Sequence, residues 1–405
     1  MKNDIDLSGT EWSEPGKFSG VFNGNNHSIS NLKAKRTNSD SDLYLGLFSQ
    51  CDSGAVIFDL NIDKASFEIS LDGDEHCDVY CGGLIGKCYL DYISIKNCNV
   101  NIDINSTNNT GGDSLIGGLV GKISNSVLQN DVFCFDGCSV TSNMYLSSAT
   151  SYANVVGGGI VGWLDNRNVC SINKCAATNI VTANKFDFGG IVGFNSVDIC
   201  QITGCSADSI IKTYGNNLIS IGGLAAYHGD SGISNFAECK TTVIIEFYED
   251  FLSSAYERNK CSVLKETGPV GMCSGGMVGY LDTDRSGHCY FTDCTTTCSM
   301  SASQSDDCLG GLVGELNNWG TCSFIDCSTT SIIEDTYGFN LGGMIGNLYN
   351  VGTCYFTGCI VKGNLTRGYP VTYLSGKYSV ENCTANITIE GIYINSISNE
   401  NTIVN

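Results

Sequence analysis

Proline, basic residues and long apolar runs are all scarce in this 405-residue chain, which has three prolines and 21 Lys and Arg against 42 Asp and Glu. With so few prolines and no Pro-rich or Ser-rich linker, one elongated domain fits better than two or three globular ones. The formal charge of -21 repels phosphate backbones and anionic lipid, which argues against nucleic acid as a partner. No apolar run approaches the roughly 20 residues needed to span a bilayer, so no membrane span is expected. The opening MKNDIDLSGTEW holds no stretch that could serve as a signal peptide. An extracellular or cell-surface location therefore requires a signal that was removed or lies outside this chain. Helical patterning is missing as well, since no segment keeps an i, i+3, i+4, i+7 apolar stripe for three turns. Hydrophobic content of 42% with 16% charged residues still supplies a core, so the chain folds.

What is abundant is repetition. LGGLVGELNNWGTCSFIDCSTT at 309–330 returns thirty-two residues later as LGGMIGNLYNVGTCYFTGCIVK. Gly-Gly pairs begin at Gly82, Gly117, Gly158, Gly189, Gly222, Gly275, Gly310 and Gly342, in steps of 35, 41, 31, 33, 53, 35 and 32 residues. From the second glycine to a later cysteine the distance is 15 to 20 residues in every unit, so length varies mostly after the cysteine. Each unit offers three candidate strands, GGLVGEL, CSFIDC and a β-branched run such as STTSIIED. Three short strands per roughly 35 residues match one coil of a parallel β-solenoid, in which each residue stacks on its counterpart one coil away at roughly 4.8 Å. The expected fold is all-β: a parallel right-handed β-solenoid (β-helix) of about nine to ten coils with an N-terminal cap and one long insertion. The glycine column would let the backbone bend sharply or take positive φ, and let neighbouring segments approach closely. Residues 1–44 are expected to form the cap and first strands, 45–370 the repeats and 371–405 a terminal coil.

FSGVFNGNNHSISNL at 18–32, YLGLFSQCDSGAVIFDLNI at 44–62 and the GGLVG-type units with an Ile-x-x-Cys strand resemble the GLUG-repeat family of bacterial surface proteins. The resemblance covers nearly the whole chain. It implies a β-solenoid and a place at the cell surface, as in adhesins and in appendages of surface proteases, without implying an activity. The chain departs from the pattern at Ala225 and Ala226 in IGGLAAY and after Cys359, where the Gly-Gly is missing.

The chain has 23 cysteines. Nine fall in one repeat column: Cys98, Cys138, Cys175, Cys205, Cys239, Cys294, Cys327, Cys359 and Cys383. Five more, Cys170, Cys200, Cys289, Cys322 and Cys354, fall in a second column five residues earlier, where other coils carry Ile93, Phe133, Ser234 and Tyr378. A position that accepts Ile, Phe and Tyr is a core position, so these cysteines are expected to pack inward as thiols. Disulfides between stacked coils are the first alternative, because neighbouring rungs fall within bonding reach. The Cys-x4-Cys spacing lacks the Cys-x2-Cys and His partners of structural zinc.

Catalytic signals are weak. His27, His76, His228 and His288 lie in different coils with no nucleophile beside them in sequence. The acidic pairs Asp282 with Asp284, Asp306 with Asp307 and Glu249 with Asp250 could imitate the carboxylate cluster of a solenoid polysaccharide lyase or hydrolase, but suit solvated turns better. No cofactor is expected; calcium, considered for LDGDEHCD at 71–78, lacks both the Gly-Gly-x-Gly-x-Asp repeat and a complete EF-hand series. Sequons beginning at Asn26, Asn105, Asn108, Asn364, Asn382 and Asn386 matter only in a glycosylating host. The longest excursion runs from Cys239 to Gly275 and contains IIEFYEDFLSSAYERNKC. Its Phe247, Tyr248, Phe251, Leu252 and Tyr256 include helical spacings, so a short helix is expected as a lid over the solenoid or as a recognition element.

Three function classes follow: a noncatalytic surface adhesin or structural stalk, a self-assembling extracellular fibre or filament subunit, and a carbohydrate-active β-helix enzyme. The first is preferred, with host or environmental glycan or protein as its partner and no catalytic, cofactor or metal residues assigned. At the N-terminal end Trp12, Phe18 and Phe22 are expected to cover the first coil. At the other end ANITIEGIYINSI reads as strands with one apolar face, and it is expected to offer an edge to another copy or to a neighbouring domain.

Overall fold

The computed structural model describes residues 1–394 apart from 14, 38–40, 53, 74, 90–91, 125–131, 149–152, 184–185, 215–219, 231, 249–272, 303–306, 336–339, 367–372 and 390–391. The chain is all-β and winds as a parallel β-solenoid through three sheets. In the coil of the motif quoted above, Cys308–Gly310 lies in sheet 1, Val313–Asn318 and Thr321–Ile325 in sheet 2, and Ser328–Asp335 in sheet 3. Among the described residues sheet 1 has nine strands, one from each coil that reaches it, while sheets 2 and 3 have eighteen and fourteen. Among the described residues no helix is long and apolar enough to cross a membrane.

One expected strand is divided by a corner. GGLVGEL is not the single strand its composition suggests: Gly310 ends sheet 1 and Val313 begins sheet 2, with the chain turning between them. A Cβ on Gly310 would lie 1.8 Å from the Val313 carbonyl oxygen, and one on Gly311 would lie 2.0 Å from that of Gly343. The pair is thus fixed by close approach of backbone. None of the glycines in the eight repeat pairs from Gly82 to Gly342 has positive φ.

Left-handed backbone occurs instead at the second corner, between sheets 2 and 3. The residue before each of the nine column cysteines has φ between 49° and 66°, and seven of these nine residues are Asn, Asp or Gly. These types tolerate the left-handed region at least cost, which is why a single residue suffices to turn the chain.

Alternation then decides what is inside. In Asn99–Asn108 every second side chain is buried, so sheet 3 has one apolar and one solvated face. Phe236, Phe291, Phe324 and Phe356 stack from coil to coil with ring centroids 4.7, 4.9 and 5.0 Å apart. Where the glycine corner meets sheet 3, the Thr296 and Thr329 hydroxyls donate to the carbonyls of Gly311 and Gly343 at 2.6 and 2.9 Å. The interior is therefore held by rungs of one residue type and by hydroxyls that satisfy the corner carbonyls.

The two ends differ. Near the N-terminus the Trp12 indole donates to Gly46 O at 3.1 Å, and Phe18 and Phe22 pack on Phe48 with centroids 4.3 and 5.6 Å away. Toward the C-terminus Thr384–Ile389 continues sheet 3, and Ile392–Ile394 folds back on it antiparallel, pairing Ile389 with Ile392 and Ile387 with Ile394. The helix expected around Phe247 does not begin there. Phe247 and Tyr248 end the strand Lys240–Tyr248, in register with Thr213 and Tyr214, because the β-branched run TTVII carries the extended conformation through to them. Phe251, Leu252 and Tyr256 lie outside the described residues.

Candidate functional site

All nine members of the corner column are buried, and no disulfide joins any of the described cysteines. Cys327 Sγ donates to the carbonyl of Ile325, two residues back, at 3.4 Å, and to that of Phe291 in the preceding coil at 3.5 Å. Cys359 repeats the pattern with Thr357 and Phe324 at 3.6 and 3.3 Å. A thiol at this corner is a small apolar group that also brings a weak donor to the carbonyls of its own turn and of the preceding coil. The second column is in register as the sequence implied: Phe133 pairs with Cys170, Cys170 with Cys200, Cys200 with Ser234, Ser234 with Cys289, and Cys354 with Tyr378. Burial pushes the Cys170 thiol well above its ordinary pKa, so it is unsuited to act as a nucleophile.

One histidine is brought to a hydroxyl. His228 Nε2 lies 2.7 Å from Ser234 Oγ, and His228 Nδ1 lies 2.8 Å from the Asn195 amide nitrogen, which is also 3.1 Å from Cys200 Sγ. The side chains of Asn195, His228 and Ser234 are completely buried. Burial lowers the His228 pKa to about 3, so the imidazole is neutral. The other histidines are not united with it: His27 Nδ1 sits 3.0 Å from Asp4, exposed His76 lies 3.4 Å from Asp78, and His288 is exposed in the strand His288–Thr292.

Outside the main core, the sheet 1 column that includes Tyr44, Tyr80, Leu115 and Val156, and further along Cys273 and Cys308, packs against one column of sheet 2 to form a seam. The sheet 2 column reads Gln50, Lys87, Lys122, Trp163, Phe194, Tyr227, Tyr280, Glu315 and Asn347 in unbroken register. Trp163, Phe194, Tyr227 and Tyr280 stack with centroids 3.9, 4.6 and 5.4 Å apart. Buried Lys87 places its ammonium 3.9 Å from the Tyr80 ring centroid, and Lys122 lies 5.3 Å from that of Trp163. An aspartate ladder runs alongside. Asp42 Oδ1 accepts the backbone N–H of Asp78, Asp78 that of Asp113, and Asp113 that of Asn154, at 3.1, 2.8 and 2.9 Å. Burial raises the Asp113 pKa, whereas burial and then the charge of Lys87 lower that of Lys122.

At the far end of this seam Cys273, Cys308 and Glu315 converge. Cys273 and Cys308 are register partners on adjacent rungs of sheet 1, and Glu315 follows Tyr280 in the sheet 2 column. Glu315 Oε2 is 3.6 Å from Cys273 Sγ and 3.3 Å from Cys308 Sγ. Among the described residues this is the one trio of His, Cys, Asp or Glu side chains whose ligand atoms all lie within 4.8 Å of one another. Sequence reasoning missed it, although the 35 residues from Cys273 to Cys308 equal the step from Gly275 to Gly310.

The acidic pairs are not gathered into such a group. Asp282 lies half-buried in the strand Val278–Thr283, its pKa raised by burial and then by Asp284, while Asp306, Glu249 and Asp250 lie outside the described residues. In the stretch considered for calcium, Asp72 accepts from Asn109 at 2.6 Å, and Asp78 belongs to the aspartate ladder.

No protein-family model matches this chain, and no curated protein or solved structure proved similar to it.

Proposed function

We propose that the chain is a noncatalytic repeat rod, acting as a surface adhesin or structural stalk of the GLUG type. The observation that carries this reading is how the chemically capable side chains are employed. Thiols and Thr hydroxyls bond corner carbonyls, aspartates bond the backbone N–H of the next coil, and the aromatic rings of the seam stack on one another. The hydroxyl and imidazole pair of Ser234 and His228 is sealed from solvent. These side chains hold coil to coil and leave little to act on a substrate.

Adhesion has support from the solvated faces. Ile180, Ile210 and Ile244 occupy three consecutive rungs of sheet 3 and are exposed, as are Ile199 and Ile233 on sheet 2. Aligned apolar rungs on a flat sheet form a surface that a glycan or protein can cover. The antiparallel fold-back of Ile392–Ile394 occupies part of the last sheet 3 edge, which favours a stalk over a fibre built through that edge.

The test is binding of the purified chain to immobilised glycans and matrix proteins, alongside an I180K/I210K/I244K variant. Retention without turnover by the parent, lost in the variant, is expected. Cleavage of a polysaccharide by the parent chain would overturn the proposal.

A further inference from the structure

We infer that Cys273, Cys308 and Glu315 form a binding site for a thiophilic divalent cation, with zinc as the ion of best fit. Zinc bonds thiolate sulfur at about 2.3 Å and carboxylate oxygen at about 2.0–2.2 Å, so in a tetrahedral site a sulfur and an oxygen ligand stand roughly 3.6 Å apart. The two sulfur to oxygen separations here are 3.6 and 3.3 Å. Two of the three donor separations thus lie close to the edge lengths of the required tetrahedron, and all three donor atoms lie within 4.8 Å of one another.

The surroundings suit the ion. Both cysteines are buried, Glu315 is half-buried, and Tyr280 and Tyr227 pack against the thiols. Three protein ligands with one side toward solvent leave the fourth position to water. Asn340 Nδ2 lies 3.6 Å from Cys308 Sγ, placed to donate to a thiolate and fix its orientation. The same column holds Ser220 and Asn340 in neighbouring coils, so core packing alone does not demand cysteine at its two central rungs.

Binding proceeds with loss of the two thiol protons to solvent, giving two thiolates and one carboxylate around the cation. The ion then ties two successive coils together immediately after residues 249–272. A disulfide between the same cysteines would instead deprive Glu315 of both thiol donors. Nor does this site depend on the adhesin or stalk reading; an ion here would brace the solenoid whatever its faces bind.

The experiment uses the full chain, purified under reducing conditions and titrated with cobalt(II) and then zinc(II) against a chelator. One cobalt per chain is expected, with thiolate-to-cobalt charge transfer and the intense visible bands of tetrahedral coordination, both displaced by zinc. C273S and C308S abolish those bands, E315Q weakens affinity at least tenfold, and C322S, in the interior column, leaves binding intact. If the cysteine variants fail to fold, E315Q decides, since the same sheet 2 column accepts Asn347. The inference is overturned by absence of stoichiometric metal, by unchanged uptake in E315Q, or by a nonreducing peptide map that joins Cys273 to Cys308.

Discussion

Ser234 Oγ lies 2.7 Å from His228 Nε2 in the sealed interior of the solenoid, where other coils place Leu164, Leu281 and Leu316 in the histidine's column. The distance is that of a nucleophile and its base, but with no solvent exposure the pair is a structural bond with a pH cost. His228 titrates near 3 when folded and near 6.5 when unfolded, so only the unfolded chain takes up this proton between those values. Its contribution to stability is therefore complete above about pH 6.5 and is lost as pH falls toward 3, at up to about 1.4 kcal/mol per pH unit. Urea unfolding at pH 7 and pH 5 should show this slope in the parent and a shallower one in His228→Leu. Identical slopes would refute the assignment.

Gly310→Ala should cost on the order of 3 kcal/mol or more, because its Cβ would fall 1.8 Å from the Val313 carbonyl oxygen and the backbone of the corner must move. Gly16→Ala, where nothing lies within 4 Å of the added Cβ, should stay within about 0.5 kcal/mol of the parent. Comparison of the two melting curves checks whether close approach fixes the glycine column.

Cys327→Ala should cost about 1–2 kcal/mol through lost packing and loss of the thiol donor to Ile325 and Phe291. If the corner cysteines are inward thiols, an alkylating reagent should leave them unlabelled in the native chain and label them after denaturation. Counting modified residues by mass spectrometry under nonreducing conditions settles this, and most corner cysteines found in disulfides would contradict it.

Phe324→Ala should be costlier, at about 3–5 kcal/mol, since the ring stands between Phe291 and Phe356 and no neighbouring side chain can fill its place without breaking the stack. A loss below about 1 kcal/mol in chemical denaturation would mean that the ladder relaxes around the cavity.

What the sequence determined by itself was the stacking. The exchange of Cys170 and Cys200 with Phe133, Ser234 and Tyr378 was legible because each coil places equivalent residues one above the other, so register reduces to a repeat of roughly 35 residues. The Gly-Gly pair was legible as a column where the backbone can bend, but whether φ or close approach required it was not, since period alone cannot separate a glycine needed for φ from one needed for space. The meetings between different columns, Asn195 with His228 and Ser234, or Glu315 with Cys273 and Cys308, were decided by tertiary structure. They depend on how each coil bends in cross-section, and that is set by which backbones can approach at the glycine corner and which residues turn left-handed before the cysteines.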